Sequence, residues 1–148
     1  MPIFEYTTKL DLPVERVFDF IARPRNLLLV SPPSPKIEFL EAPERLTMGS
    51  RFTVQLTHLG FSQRLVSEVT WFEEGVCFTD EQVEGPFRKW SHTHRLTPEG
   101  TGTVMQDRIE FEAPSGMLGW VLTNSRIQSG MAEAFAFRDV KFREVLKI

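Results

Sequence analysis

Gly85-Pro86-Phe87-Arg88-Lys89-Trp90-Ser91-His92-Thr93-His94-Arg95-Leu96 is the stretch on which the reading of this chain turns. After its Gly-Pro break it alternates as a strand does, with successive side chains on opposite faces. Trp90, His92, His94 and Leu96 share one face, while Phe87, Lys89, Ser91, Thr93 and Arg95 share the other, which suits solvent. Two imidazoles beside a tryptophan on an apolar face need partners, since burying a polar group without one costs roughly 1–3 kcal/mol. They are hydrogen-bonded inside the protein, or they line a cavity.

The segments on either side decide what that face meets. Downstream, Pro98-Glu99-Gly100-Thr101-Gly102 turns the chain, and Thr103–Phe111 returns with Met105, Asp107, Ile109 and Phe111 on one face. Pairing the two strands about that turn sets Asp107 within about one residue of facing His92 or His94. A carboxylate there would form a charge-assisted pair with an imidazole and raise its pKa, while burial would act the other way. Upstream, Val76–Val83 reads as a strand on which Asp80 and Gln82 share parity with Val76 and Phe78, either at a cavity mouth or on a solvated rim. Phe61–Phe72 alternates to bring Leu65, Val69 and Trp71 together, and Arg51–His58 does the same with Phe52, Val54 and Leu56. Lys36–Leu40 is a short strand, and hairpins are expected at Leu59-Gly60 and Glu73-Glu74-Gly75.

The two ends complete the plan. Ile3–Leu10 is a first strand, and Pro13 fits the opening turn of a helix carrying Val14, Val17, Phe18 and Ile21 at helical spacing. A second short helix over Pro24–Leu29 is stopped by the prolines of Ser31-Pro32-Pro33-Ser34-Pro35. From Met117 to Lys147 there is no proline, and Met131, Ala134, Phe135, Arg138, Phe142 and Val145 form one stripe, so a firm amphipathic helix is expected from Ile127 onward. Arg138 interrupts that stripe, and the expectation is that it snorkels to water rather than reaching Asp107 or a ligand. Strand, helix pair, antiparallel meander and long helix together make an α+β layout.

Composition narrows the classes. The chain has 148 residues, which is the size of one domain, 1–148. Its net charge is −3 with acids and bases interspersed, so no basic face is offered to nucleic acid. A single cysteine, Cys77, excludes an internal disulfide and a cysteine-based zinc cluster, and it reads as a small packed residue. No run approaches a membrane span and no leader is evident, so a cytoplasmic location is expected. Thirteen Phe and three Trp stand beside one Tyr, which makes the interior bulky and nearly free of hydroxyls.

The opening strand followed by Leu12-Pro13-Val14-Glu15-Arg16-Val17-Phe18-Asp19-Phe20, the Pro-rich break, Met48-Gly49-Ser50 before a strand, and above all the histidine segment carry a resemblance. Over nearly its whole length the chain resembles the START-like, or SRPBCC, superfamily. The histidine segment, the most specific part, is similar to that of a bacterial subgroup described as ligand-binding or polyketide cyclase/dehydrase-like. The resemblance implies the helix-grip fold: a curved antiparallel sheet of about six to seven strands around a long C-terminal helix, with two short helices after the first strand and a cavity between sheet and helix.

Four roles for the histidine face follow. His92 and His94 can be satisfied by Asp107, backbone or water and order the sheet. They can instead supply, with Asp107, the few polar contacts of an apolar ligand cavity walled by Phe52, Val54, Trp90 and Met105. Catalysis is a third role, with His92 or His94 as general acid or base beside Asp107, as cyclisation or dehydration needs. A metal triad is the weakest, because i and i+2 positions on one strand are poor grounds for it. His58 is expected to be exposed, and neither Ser62 nor Ser91 sits in a nucleophile elbow. The expected function is cofactor-free and metal-free binding of a small, largely apolar ligand. A cyclase, aromatase or dehydratase stands second, and a partner-binding module with a collapsed interior third. Oligomeric state stays open.

Overall fold

Alternating β-branched and aromatic residues build seven strands in the computed structural model, which describes residues 1–58 and 60–148. These are β1 (Ile3–Leu10), β2 (Lys36–Glu41), β3 (Arg51–His58), β4 (Phe61–Glu73), β5 (Cys77–Glu84), β6 (Lys89–Glu99) and β7 (Gly102–Glu112). They form one antiparallel sheet in the order β1-β7-β6-β5-β4-β3-β2. Only the first strand leaves chain order, joining the far side of β7, so β1 and β2 are the two edges. The chain crosses between these edges through α1 (Val14–Ile21), a 3-10 turn at Pro24–Asn26 and α2 (Leu27–Val30). After the sheet come a short α3 (Gly116–Val121) and the long α4 (Asn124–Leu146). This is the helix-grip arrangement. Leu59, placed in the β3–β4 hairpin from the sequence, lies outside the described residues.

A two-residue turn controls the central register. Glu99 pairs Gly102 around Gly100-Thr101, and Gly100 has φ 61°, a conformation that favours glycine. From there the β6–β7 ladder runs without a shift to Lys89 opposite Glu112, which sets His94 across from Asp107 and His92 across from Ile109.

β4 breaks the expected alternation. Its register against β5 shifts between Val69 and Trp71, a bulge that moves one residue out of the ladder. Parity reverses beyond that point: Trp71 is exposed, and Phe72 turns inward against Phe18 and Phe78. The grouping of Trp71 with Leu65 and Val69 is thereby corrected. Further shifts at Val66/Ser67 and in β2 at Phe39/Glu41 bend the same half of the sheet.

Helix α4 begins where Thr123 Oγ1 accepts from the Arg126 backbone N–H and ends with Lys147 in the left-handed conformation. Its inward stripe is Ile127, Met131, Phe135, Arg138 and Phe142, steps of three and four residues. Phe135 packs with Phe4 of β1, and Phe142 packs edge-on to Phe20 of α1. Full burial of a phenylalanine is worth roughly 1.5–3 kcal/mol, so these contacts dominate the docking of α4. One apolar cluster lies under α1 (Phe18, Phe78, Leu96, Met105, Phe142), and a second lies toward the start of α4 (Phe4, Ile109, Phe111, Met131).

Candidate functional site

Three adjacent strands and one helix bring five polar side chains together. Turn-set pairing puts Asp107 (β7) beside His94 (β6), and the β5–β6 ladder sets Asp80 opposite His92. The His92 Nε2–H donates to Asp107 Oδ1 at 2.8 Å, and the His94 Nε2–H donates to Asp80 Oδ2 at 3.1 Å. His94 Nδ1 approaches Asp107 Oδ1 at 3.3 Å, off the direction of a hydrogen bond. The imidazoles stack on each other with centroids 3.7 Å apart, and His94 stacks in turn on Phe78 at 4.2 Å. Arg138 of α4 holds one nitrogen 3.7 Å from the same Asp107 oxygen, its guanidinium flanked by the Phe135 and Phe142 rings.

Burial and pairing drive the two histidines apart. At His92, burial and the neighbouring His94 charge outweigh the pull of Asp107 and lower its pKa. At His94, burial also pulls downward, but the close Asp107 carboxylate and the hydrogen bond to Asp80 overcome it, and the pKa rises. Asp107 is fully buried, which alone would raise its pKa. The Arg138 charge and the two histidines hold it well below the usual carboxylate range. Histidine-selective NMR should show His92 titrating below, and His94 above, the ordinary value of about 6.5. Coincident titration at that value would refute the assignment. The linked stabilities have opposite signs. His94 stabilises the fold below pH about 6.5, and this is lost as pH rises through its raised folded pKa. His92 contributes stability above pH about 6.5, lost as pH falls through its lowered folded pKa.

Beside this cluster lies a cavity of about 250 Å³ between sheet and helices. His92, His94, Asp80 and Arg138 form a polar part of its wall, while Phe39, Phe52, Val54, Leu56, Leu65 and Phe142 are among its apolar lining. The family described as "Polyketide cyclase / dehydrase and lipid transport" matches residues 1–139. The chain belongs to that family. It lies within the START-like/SRPBCC superfamily, and no curated protein matches it.

Solved structures share the family's fold at low identity. A protein from Arthrobacter aurescens is 21% identical over 96% of this chain and 86% of its own, with a TM-score of 0.74. One from Thermus thermophilus is 21% identical over 95% of this chain and 96% of its own, with a TM-score of 0.69. Ara h 8.0201 is 15% identical over 99% of both chains, also with a TM-score of 0.69. No helix of the described residues is long and apolar enough to cross a membrane.

Within this family fold the residues singled out from sequence separate into two groups. Phe52, Val54, Trp90, His92 and His94 line the cavity. Met105 does not: it is fully buried in the cluster under α1, because its face of β7 is covered there by helix and by Leu96 and Phe18. Asp107 lies behind the histidines and holds them rather than forming the wall. Arg138 corrects another expectation. It does not snorkel to water; its side chain is 12% exposed and turned inward, where Asp107 supplies an opposite charge. Asp80 is a full member of the cluster, and its parity with Phe78 on β5 was the available signal. Gln82 instead holds the Phe87 backbone through both amide atoms. His58 is exposed and pairs with Ser34 Oγ at 3.0 Å, and Cys77 is buried.

A metal triad fits this geometry poorly. Asp80, His92 and His94 bring one ligand atom each within 4.8 Å of one another. However, the ring planes lie only 24° from parallel, so their in-plane lone pairs do not converge on one cation. Coordination would require the stack to open.

Proposed function

We propose that this protein binds a small, largely apolar ligand in the cavity between the curved sheet and α4. The observation that carries the reading is the placement of the His92–His94–Asp80–Arg138 group on the wall of a largely apolar space of about 250 Å³. Few polar groups on an apolar wall are what a binding site needs to orient a ligand by one end. Phe52, Val54 and Trp90 supply apolar contact, while His92 and His94, held from behind by Asp107, meet the polar end of the ligand. Family membership supports the same reading at a coarser level.

A second reading, a cyclase- or dehydratase-type enzyme, is favoured by one observation. His92 donates through Nε2 to a buried carboxylate and carries a lowered pKa. Its Nδ1 forms no hydrogen bond with a described residue. A neutral imidazole oriented by a carboxylate is the arrangement of a general base.

Native mass spectrometry of purified protein tests the binding reading. A co-purified or added small apolar molecule should be retained at one per chain. Filling the space with Val54→Trp should reduce that affinity by at least about ten-fold, the equivalent of a lost apolar contact of about 1.4 kcal/mol. Unchanged affinity in a folded Val54→Trp protein would place the ligand elsewhere and overturn the reading.

A further inference from the structure

Arg138 stands out among the charged residues of the interior. It occupies a position on the inward stripe of α4 between Phe135 and Phe142 where an apolar side chain would be expected. Its aromatic neighbours hold the guanidinium from two sides, with centroids at 5.1 and 4.9 Å. A guanidinium carries five N–H donors and a permanent charge. None of them makes a hydrogen bond to a described residue, and Nε is buried without a partner among those residues.

Asp107 does not satisfy this group. The nearest approach is 3.7 Å, beyond hydrogen-bond length, to an oxygen that already accepts from His92 and touches His94. Other arginines behave differently: Arg45 is fully engaged with Asp19 and Glu74, and Arg23 with Asp19 and Glu44. Arg23 and Arg138 both line the cavity; the Arg23 guanidinium is engaged by Asp19 and Glu44, whereas that of Arg138 keeps its donors free of hydrogen bonds to described residues. A buried charged donor without a partner is costly, and a planar fork matches the two oxygens of a carboxylate. Asp80 and Asp107 oppose an incoming anion less than their charges imply, because His94 engages Asp80 and both histidines engage Asp107.

We infer that Arg138 is a specificity-determining residue and that the ligand is a compact apolar carboxylic acid, bound with its carboxylate on the Arg138 fork. This rests on the cavity being the ligand site. At interior packing density the space holds about ten to fifteen non-hydrogen atoms, the size of an aryl or bicyclic acid rather than a long-chain lipid.

Calorimetry with matched acid and amide pairs tests it, using benzoate with benzamide and 2-naphthoate with 2-naphthamide. Each pair keeps its shape while replacing the charged two-oxygen carboxylate with a neutral amide, which offers one acceptor oxygen and an NH2 donor. Wild-type protein should bind at least one acid ten-fold or more tightly than its amide. Arg138→Met should abolish the preference by weakening the acid while leaving the amide within two-fold. Removing the guanidinium also leaves Asp107 without its countercharge, so Arg138→Lys serves as a second variant. It keeps the charge, loses the fork, and should weaken acid binding several-fold with the amide unchanged. If amides bind as tightly as acids, the inference fails while the binding reading stands. The inference also fails if a folded Arg138 variant keeps the full preference. If wild-type protein binds no member of either pair, the inference fails, and the binding reading is decided separately by native mass spectrometry with Val54→Trp.

Discussion

Asp107→Asn lowers the unfolding free energy by about 3–5 kcal/mol, the cost of removing one partner from a buried ionic group. Asp107 is fully buried and faces His92, His94 and Arg138 at 2.8, 3.3 and 3.7 Å. An amide fills the same space but takes away the negative charge that faces Arg138. At 148 residues this corresponds to a fall in Tm of about 10 °C. The pH profile carries a second signature. The depressed pKa of Asp107 contributes stability that is present above its unfolded value of about 3.9 and is lost as pH falls through the acid range. Wild-type stability should therefore decline more steeply in acid than that of Asp107→Asn, and the two curves should converge at low pH. Urea denaturation at a series of pH values measures both effects. A loss under about 1 kcal/mol at neutral pH would mean that the cluster is not held by this carboxylate.

Phe142→Ala should cost about 3–5 kcal/mol, the range for truncating a buried phenylalanine. Its ring is 1% exposed, meets Phe20 of α1 edge-on at 5.5 Å, and covers one side of Arg138. Because Phe142 also lines the cavity, truncation should enlarge the space as well as loosen α4. Val140→Ala, two residues earlier on the exposed face of α4, is the comparison and should stay within about 0.5 kcal/mol. Equal losses from the two substitutions would show that helix propensity, rather than docking, governs the stability of α4.

Much of the site is legible in the sequence because strand parity is a strong constraint. The alternation of Trp90, His92, His94 and Leu96 identifies the inward face of β6, and the short turn at Gly100 brings Asp107 beside it. What parity cannot see is a change of parity. The bulge in β4 exchanges Trp71 for Phe72, and nothing in the local pattern marks a residue dropping out of a ladder formed with another strand. Met105 shares a face with Asp107, yet that face is covered by different elements along its length, so the same side of a strand is core at one point and backs a polar cluster at another. Arg138 escapes a sequence reading for a related reason. A long cationic side chain on an apolar stripe usually reaches water, and only the three-dimensional position of Asp107 makes the inward course favourable.

The Gly100-Thr101 turn gives this arrangement an unusual mechanical dependence. It lies five residue pairs from the His94–Asp107 apposition, about 17 Å at strand rise, and touches none of the charged groups. Yet the ladder between them has no slack, since no bulge intervenes. One residue added to the turn and accommodated by sliding β7 would reverse the facing of Asp107 and leave His92 and Arg138 without their anion, with Asp80 alone remaining for His94. Loop length at the rim of the sheet thus acts as a gear setting for the chemistry at its centre. Chain-length variation should be tolerated in the other hairpins before it is tolerated there.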